Sequence, residues 1–394
     1  MKKLEQRVPN LRFKGFTDDW EQRKLGDVVN FFSGLTYHPS DVKNKGYFVI
    51  RSSNIQNNQI VSADDIFVNK DIINVPNVKQ GDIIVVVRNG SRKLIGKHAQ
   101  VLTDMPNTVI GAFMTGVRSK SNFYINALLD SDQFQKEIYK NLGATINQIT
   151  IGEFRKMRFI ITSGNEAQTI GEFFKKIDTL ITLQQRKLDL LKQFKKGLLQ
   201  KMFADKDSKR PVLRFKGFHD DWEQRKVSDI FTVTRGQVLA TTKISEVKTN
   251  EMCFPVYSSQ TKNNGLMGYY NKYLFNTAIT WTTDGANAGT VNYREGKFYS
   301  TNVNGVLLSD DGYANKAIAE ILDRVAWRHV SRVGNPKLMN NVMSNIKISI
   351  PSSFEEQNAI SEFLIKFDHL IVLHQRKQNH LKLLKKSLLQ QMFM

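Results

Sequence analysis

The sequence predicts a chain of the α/β (α+β) class. It reads as two mixed, β-rich domains with helices, each closed by a copy of one long helix, so that the whole is a pseudo-twofold internal repeat. Three observations carry this reading. The stretch LRFKGFTDDWEQRK at residues 11–24 returns as LRFKGFHDDWEQRK at residues 213–226, with only Thr17 replaced, by His219. The segment EAQTIGEFFKKIDTLITLQQRKLDLLKQFKKGLLQKMF at 166–203 returns as EQNAISEFLIKFDHLIVLHQRKQNHLKLLKKSLLQQMF at 356–393, a shift of 190 instead of 202. Between motif and helix lie residues 25–165 and 227–355, which lack that near-identity but follow one order of strand-like runs and then a helix. Self-similarity at this scale decides architecture before any single element does.

Taken in chain order, the repeated motif comes first. It alternates Leu11, Phe13 and Phe16 with Arg12 and Lys14, the pattern of a short strand clipped onto a domain, and nothing in it is catalytic. In the first variable region, strands are expected at residues 47–53, 81–88 and 109–118, followed by a helix over about 125–142. In the second they are expected at 254–259, 277–283 and 303–309, followed by a helix over 314–327. Each long segment then opens with S-x-x-E, Ser163 with Glu166 and Ser353 with Glu356, the spacing of a capping box.

Apolar residues recur at helical spacing along both long segments, at Ile170, Phe174, Ile177, Ile181, Leu188, Leu191, Leu198 and Met202, and at Ile360, Leu364, Phe367, Ile371, Leu381, Leu388 and Met392. A rod of about 57 Å with one apolar stripe needs a partner, and its own copy supplies one as a coiled coil. The expected interface is Ile170, Phe174, Ile177, Ile181, Leu191 and Leu198 against Ile360, Leu364, Phe367, Ile371, Leu381 and Leu388. Gln184 and His374 interrupt the stripe as polar residues that fix register.

Lys and Arg outnumber Asp and Glu 57 to 37, giving a formal charge of +20 that favours a polyanionic partner. One cysteine, Cys253, fits a reducing compartment, and neither a secretory h-region nor an apolar run of membrane length is found, so a soluble cytoplasmic protein with no membrane partner is expected.

Within the variable regions FVIRSSNIQNN (48–58) aligns with FPVYSSQTKNN (254–264), and IIVVVRNGS (83–91) with AITWTTDGA (278–286). Arg51 then faces Tyr257, Asn54 faces Gln260, Arg88 faces Thr283, Asn89 faces Asp284 and Ser91 faces Ala286. Such side chains at strand ends discriminate base edges. DNA contacts are therefore expected from Arg51, Ser52, Asn54, Asn57, Arg88, Asn89, Ser91, Arg92 and Lys93 in the first region. In the second they are expected from Tyr257, Ser258, Gln260, Lys262, Asn263, Thr283, Asp284 and Asn287. Lys97, Arg118, Lys120, Arg324, Arg328 and Lys337, with Lys93 and Lys262, fit phosphate contacts. No phosphate-cradling G-x-x-x-x-G-K-[ST] loop, dinucleotide fingerprint, H-E-x-x-H, paired C-x-x-C or G-x-S-x-G is found, so no catalytic or metal site is expected.

Two dissimilar regions, each framed by LRFKGF-x-DDWEQRK and by helices ending KKGLLQKMF and KKSLLQQMF, resemble the specificity subunit of type I restriction-modification systems. The resemblance implies that residues 1–162 and 205–351 are target recognition domains for the two halves of a split double-stranded DNA site. It also implies that 163–204 and 352–394 are spacer helices forming an antiparallel coiled coil. It implies a chain that is not itself an enzyme and holds no cofactor. The expected partners are two modification (methyltransferase) subunits carrying S-adenosylmethionine, and restriction/translocase subunits using ATP and Mg. A stand-alone sequence-specific DNA-binding protein, or the recognition part of a larger methyltransferase or nuclease, is the alternative the residues leave open.

Overall fold

The computed structural model describes residues 8–142, 147–204, 208–260 and 262–393, and of Lys262 the backbone alone. The chain forms two compact units that do not follow chain order. Met1–Arg186 joins with Arg376–Met394, and Lys187–Gln375 forms the other.

In the first unit the run Ile83–Val86 is apolar at every position and buried at every position, so it takes the interior of a sheet. It lies between Met114–Arg118 and His98–Gln100, with Asn30–Ser33 outside Met114–Arg118, and all three pairings are antiparallel. A second sheet runs Thr108–Ile110, Tyr47–Ile50, Ile66–Val68, Val42–Lys43, its first pair parallel. The strand expected over 109–118 is thus two strands in two sheets, because Met114 N–H turns back 2.9 Å onto Gly111 O between them. The helix expected over 125–142 is likewise two, Asn122–Leu129 and Asp132–Asn141. Ser131 between them is extended, and its hydroxyl caps the second by accepting from Phe134 N–H.

The second unit has one six-stranded sheet in the order Thr232–Arg235, Asn304–Leu308, Phe275–Thr282, Val291–Ser300, Phe254–Tyr257, Leu266–Tyr270. Helix Lys316–Ala326 covers it with an apolar face built from Ala317, Ile318, Ile321 and Leu322. The order of the first four strands repeats that of the first unit's central sheet. Tyr47–Ile50 and Phe254–Tyr257 correspond too, each making a parallel pair.

The repeated motif departs from its expected form in the same way in both copies. LRFKGF is not a strand. The strand lies at its end, Glu21–Lys24 against Arg158–Ile161 and Glu223–Lys226 against Lys347–Ile350, both antiparallel. The preceding residues clasp the long helices, Gly164–Met202 and Phe354–Met392. Leu11 N–H donates to Gln391 O at 2.9 Å, and Leu213 N–H to Lys201 O at 2.8 Å, so each copy holds the end of one helix. Arg12 forks onto Glu166 at 2.6 and 2.9 Å, and Arg214 onto Glu356 at 2.7 and 2.7 Å, so each copy also holds the start of the other.

This corrects the expected capping boxes. Ser353 Oγ does accept from Glu356 N–H at 3.2 Å, but both glutamates turn to an arginine, which offers two charge-assisted bonds where a backbone N–H offers one. Burial alone would raise the Glu166 carboxyl. Arg12, Thr162 and Trp20, all bonded to it, hold it below the usual carboxylate range.

Inside each unit the two long helices run antiparallel. Ile170, Phe174 and Ile177 share the first unit's core with Leu389, Met392 and Phe393, and with Phe134, Phe154 and Phe159 of the β-rich domain. Met202 and Phe203 share the second unit's core with Ile360 and Leu364 and with Trp281 and Leu322. Ile181 and Leu388 pack at the edge of the first core and Leu198 at the edge of the second, while Leu191, Phe367, Ile371 and Leu381 are half-buried. Gln184 is buried.

A reciprocal lysine adds to this. Lys385 lies 2.5 Å from Asp178 and 2.6 Å from Asp130, and Lys195 lies 2.6 Å from Asp368 and 3.3 Å from Glu320. Lys195 and Asp178 precede Lys385 and Asp368 by the same 190 residues, so one pair of helix positions is used twice. In both units the third group, Asp130 or Glu320, comes from the β-rich domain.

Arg12→Met should destabilise the first unit by about 3 kcal/mol near neutral pH, since it leaves a buried carboxylate without its partner. A depressed carboxyl stabilises the fold above its unfolded pKa of about 4.3, and the contribution is lost as pH falls through the lower folded value. The gap between variant and parent should therefore close on acidification. Urea unfolding at neutral and acid pH, with amide exchange over the first turns of Gly164–Met202, measures both, and equal stability at neutral pH would sink the clasp.

Candidate nucleic-acid interface

The two aligned stretches of each variable region meet in space. In the first unit Asn89 Nδ2 donates to Ser52 Oγ at 3.1 Å, joining the loop after Tyr47–Ile50 to the loop after Ile83–Val86. In the second, Asn287 Nδ2 donates to Ser259 O at 3.2 Å and joins the corresponding loops. The backbone frames agree as well. Val87 N–H donates to Phe113 O and Thr283 N–H to Val303 O, both at 3.0 Å. Arg88 and Asp284 make matching bridges to Gln148 and Lys337, so Arg88 matches Asp284, one residue from the pairing expected from the sequence. Behind them Ile149 N–H donates to Val87 O at 2.9 Å and Leu338 N–H to Thr283 O at 2.8 Å. Each cluster is thus a pair of loops on a rigid base.

Within that frame the expected residues divide into builders and displayed groups. Asn54 is fully buried. Its amide donates to Val61 O, Ala63 O and Asp65 Oδ1 at 3.2, 3.0 and 2.8 Å, and its oxygen accepts from Arg51 N–H at 2.9 Å, so it closes the 51–65 loop. Thr283 is also fully buried, 2.7 Å from Asp284 Oδ2 and 3.0 Å from Val303 O. Tyr257 lies under Arg294, whose guanidinium carbon is 3.8 Å from the ring centroid. Burial pushes that arginine down to about 10. Asn57 and Asn263 have φ of 50° each and are followed by Asn58 and Asn264 at 58° and 52°. The aligned asparagines therefore answer a left-handed turn, which Asn tolerates better than other side chains with a Cβ.

The displayed groups differ between units. In the first, Arg88, Ser91, Arg92 and Lys93 are exposed, while Arg51 is tied through its guanidinium to Asp64 O. In the second, Gln260 is exposed and bonds Leu266 O. Asp284 lies 3.8 Å from Arg235 and 4.0 Å from Lys337. Ser258 is half-buried, its N–H on Gly265 O at 2.8 Å, and the Lys262 side chain lies outside the described residues.

Among the expected phosphate contacts, Arg118 is held by Asp82 at 2.6 and 2.7 Å, and Arg324 by Leu199 O. Two residues of the clusters escaped the sequence, Phe113 beneath Arg88 and Arg235 beside Asp284. Both lie at the tips of strands that the alignment of frames did not reach. Among the described residues, no group of three or more His, Cys, Asp or Glu could hold a metal ion, and no helix is long and apolar enough to cross a membrane.

Comparison with known proteins places this geometry. Residues 17–193 and 219–383 both match the family described as type I restriction modification DNA specificity domain, and the chain belongs to that family. A Mycoplasma pneumoniae chain named as the N-terminus of a type I specificity subunit is 40% identical over 130 residues, which is 32% of this chain and 68% of that one. The specificity subunit of the type I restriction enzyme MpnII of the same organism is 34% identical over 162 residues, 40% of this chain and 48% of that one. Two further relatives from that organism are covered over 39% and 66% of their lengths. The crystal structure of a type I restriction-modification S subunit from M. genitalium superposes with a TM-score of 0.72 at 16% identity, covering 98% of this chain and 99% of that one, and so shares the fold.

Asn54→Ala should cost about 2 to 3 kcal/mol, because it strands several buried backbone groups. It should weaken binding to every DNA sequence alike and should not relax one base. Asn57→Gly should be nearly neutral in stability, and Asn57→Val should cost about 1 to 2 kcal/mol. Thermal unfolding and DNA competition assays check these outcomes, and a base-specific loss from Asn54→Ala would make it a reader.

Proposed function

We propose that the chain is the DNA-recognition subunit of a type I restriction-modification complex, reading a split, asymmetric double-stranded site with one half-site per β-rich domain. What supports this most is the contrast inside equal frames. The same loops on the same strands carry Arg88 in one unit but Asp284 in the other. One scaffold with two sets of side chains reads two sequences. The formal charge of +20 suits the phosphate contacts that position such a reader.

Chemistry then belongs to partners, and the long helices offer them a surface. In the first unit Leu180, Leu183 and Leu384 are exposed, and in the second their counterparts Leu370, Leu373 and Phe194 are exposed. The same three apolar positions left open twice suit two copies of one modification subunit, each carrying S-adenosylmethionine. Restriction subunits using ATP and Mg complete the proposed assembly. In this reading the paired helices set the number of unread bases between the half-sites.

Replacing residues 25–155 by another recognition domain should change one half-site and leave the other intact. Methylated motifs mapped by sequencing give the readout, and a change in both halves refutes one domain per half-site. Four residues inserted into each long helix, after Lys187 and after Lys377, add about 6 Å and should lengthen the spacer by roughly one to two base pairs. An unchanged spacer would dispose of the ruler.

A further inference from the structure

Three arginines of the first cluster and its sheet are already engaged. Arg51 bonds Asp64 O, Arg118 forks onto the buried Asp82, and Arg92 reaches Leu142 O at 3.4 Å. Arg88 differs from them. Its side chain is exposed, and among the described residues it has no ion pair and no side-chain hydrogen bond. Its guanidinium lies 5.0 Å from the centroid of Phe113, a ring that is itself 53% exposed. Val87 and Arg88 N–H both donate to Phe113 O, at 3.0 and 3.2 Å, so arginine and ring rise from one rigid piece of backbone.

The second unit supplies a control. There the bond that matches Val87 to Phe113 joins Thr283 to Val303, so Asp284 and Val303 stand where Arg88 and Phe113 do, and the arginine and the aromatic ring have been exchanged together. A lone exposed phenylalanine needs no explanation, but a ring that is present only where the arginine is present has one. Stacking holds a guanidinium plane while leaving all five N–H donors free at its edge. Guanine presents two acceptors, O6 and N7, side by side in the major groove, whereas adenine presents a donor in place of one of them.

We infer that Arg88 reads a guanine in the half-site of the first unit and that Phe113 is the positioning residue that holds its fork. This rests on the DNA-reading assignment proposed above. The ring restricts the arginine before DNA arrives, so less side-chain freedom is lost on binding. The half-site read by the second unit owes nothing to such a pair.

The test selects bound sequences from a random double-stranded DNA library with the full chain, then measures competition binding for variants. Arg88→Ala should lower the preference for guanine at one position by roughly 5- to 150-fold. Phe113→Ala should lower it at that same position by roughly 2- to 5-fold, and Phe113→Tyr should keep it. All other positions should be unchanged.

If Arg88→Ala relaxes a guanine while Phe113→Ala does nothing, or weakens all sequences equally, the positioning role falls and DNA reading stands. If Arg88→Ala leaves every position unchanged, the assignment of Arg88 falls. A parent chain that enriches no sequence removes the DNA reading itself and the inference with it.

Discussion

The bond between an arginine of the repeated motif and the glutamate at the start of a long helix is the constraint around which both units are built. Glu166 and Glu356 are nearly fully buried, and an unpaired carboxylate in such a place is untenable. Each is met by a planar fork that satisfies both of its oxygens at once, which a lysine could not do. The clasping residue is followed at fixed distance by the strand that pairs with the last strand before the same helix. It is preceded by a backbone N–H bonded to the end of the other helix. One short motif thus ties a helix start, a helix end and a sheet together, and any substitution in it must respect all three. That is a physical reason for the same fourteen residues to stand in both places.

A second layer of constraint lies on the helices. Lys385 and Lys195 are largely buried, and each faces one carboxylate from the opposing helix and one from the β-rich domain. Burial alone would lower the Lys385 ammonium, but Asp130 and Asp178 hold it above its ordinary value, so it stays charged. Such a triad adds little net stability over apolar packing, yet it penalises any other register of helix on helix or of domain on helix. In each unit it fixes the direction in which the domain is presented.

The repeat, the two long helices and their mutual pairing were legible in the sequence, because each is a matter of periodicity or identity. The loop frames, by contrast, were matched one residue out of register, Arg88 standing with Asp284 and Ile50 with Tyr257. What was not legible is where a polar group spends its hydrogen bonds. Arg12 and Glu166 are 154 residues apart, and no local pattern announces that S-x-x-E will give its glutamate to a distant arginine instead of a cap. Asn54 and Thr283 stood among the expected readers because Asn and Thr at strand ends suit base edges, and both are buried closing their own loops. Ser131 split an expected helix for the same reason, a short polar side chain competing for backbone N–H groups. Arg88 could be named from the sequence, but the ring beneath it could not, since Phe113 lies 25 residues away in the turn before another strand.

The division between builders and displayed groups bears on how such a protein changes what it reads. Asn54 and Thr283 cannot be replaced without stranding buried partners, whereas exposed positions such as Arg88, Ser91 and Gln260 carry little of the fold. Specificity is therefore free to drift where stability is indifferent, and the frame persists where it is not. The two units illustrate the outcome. One displays an arginine resting on a ring, and the other an aspartate held between Arg235 and Lys337. A donor fork and a partly neutralised acceptor cannot favour the same base edge, so on the reading proposed above side-chain chemistry alone would suit loops on matching strands to different half-sites.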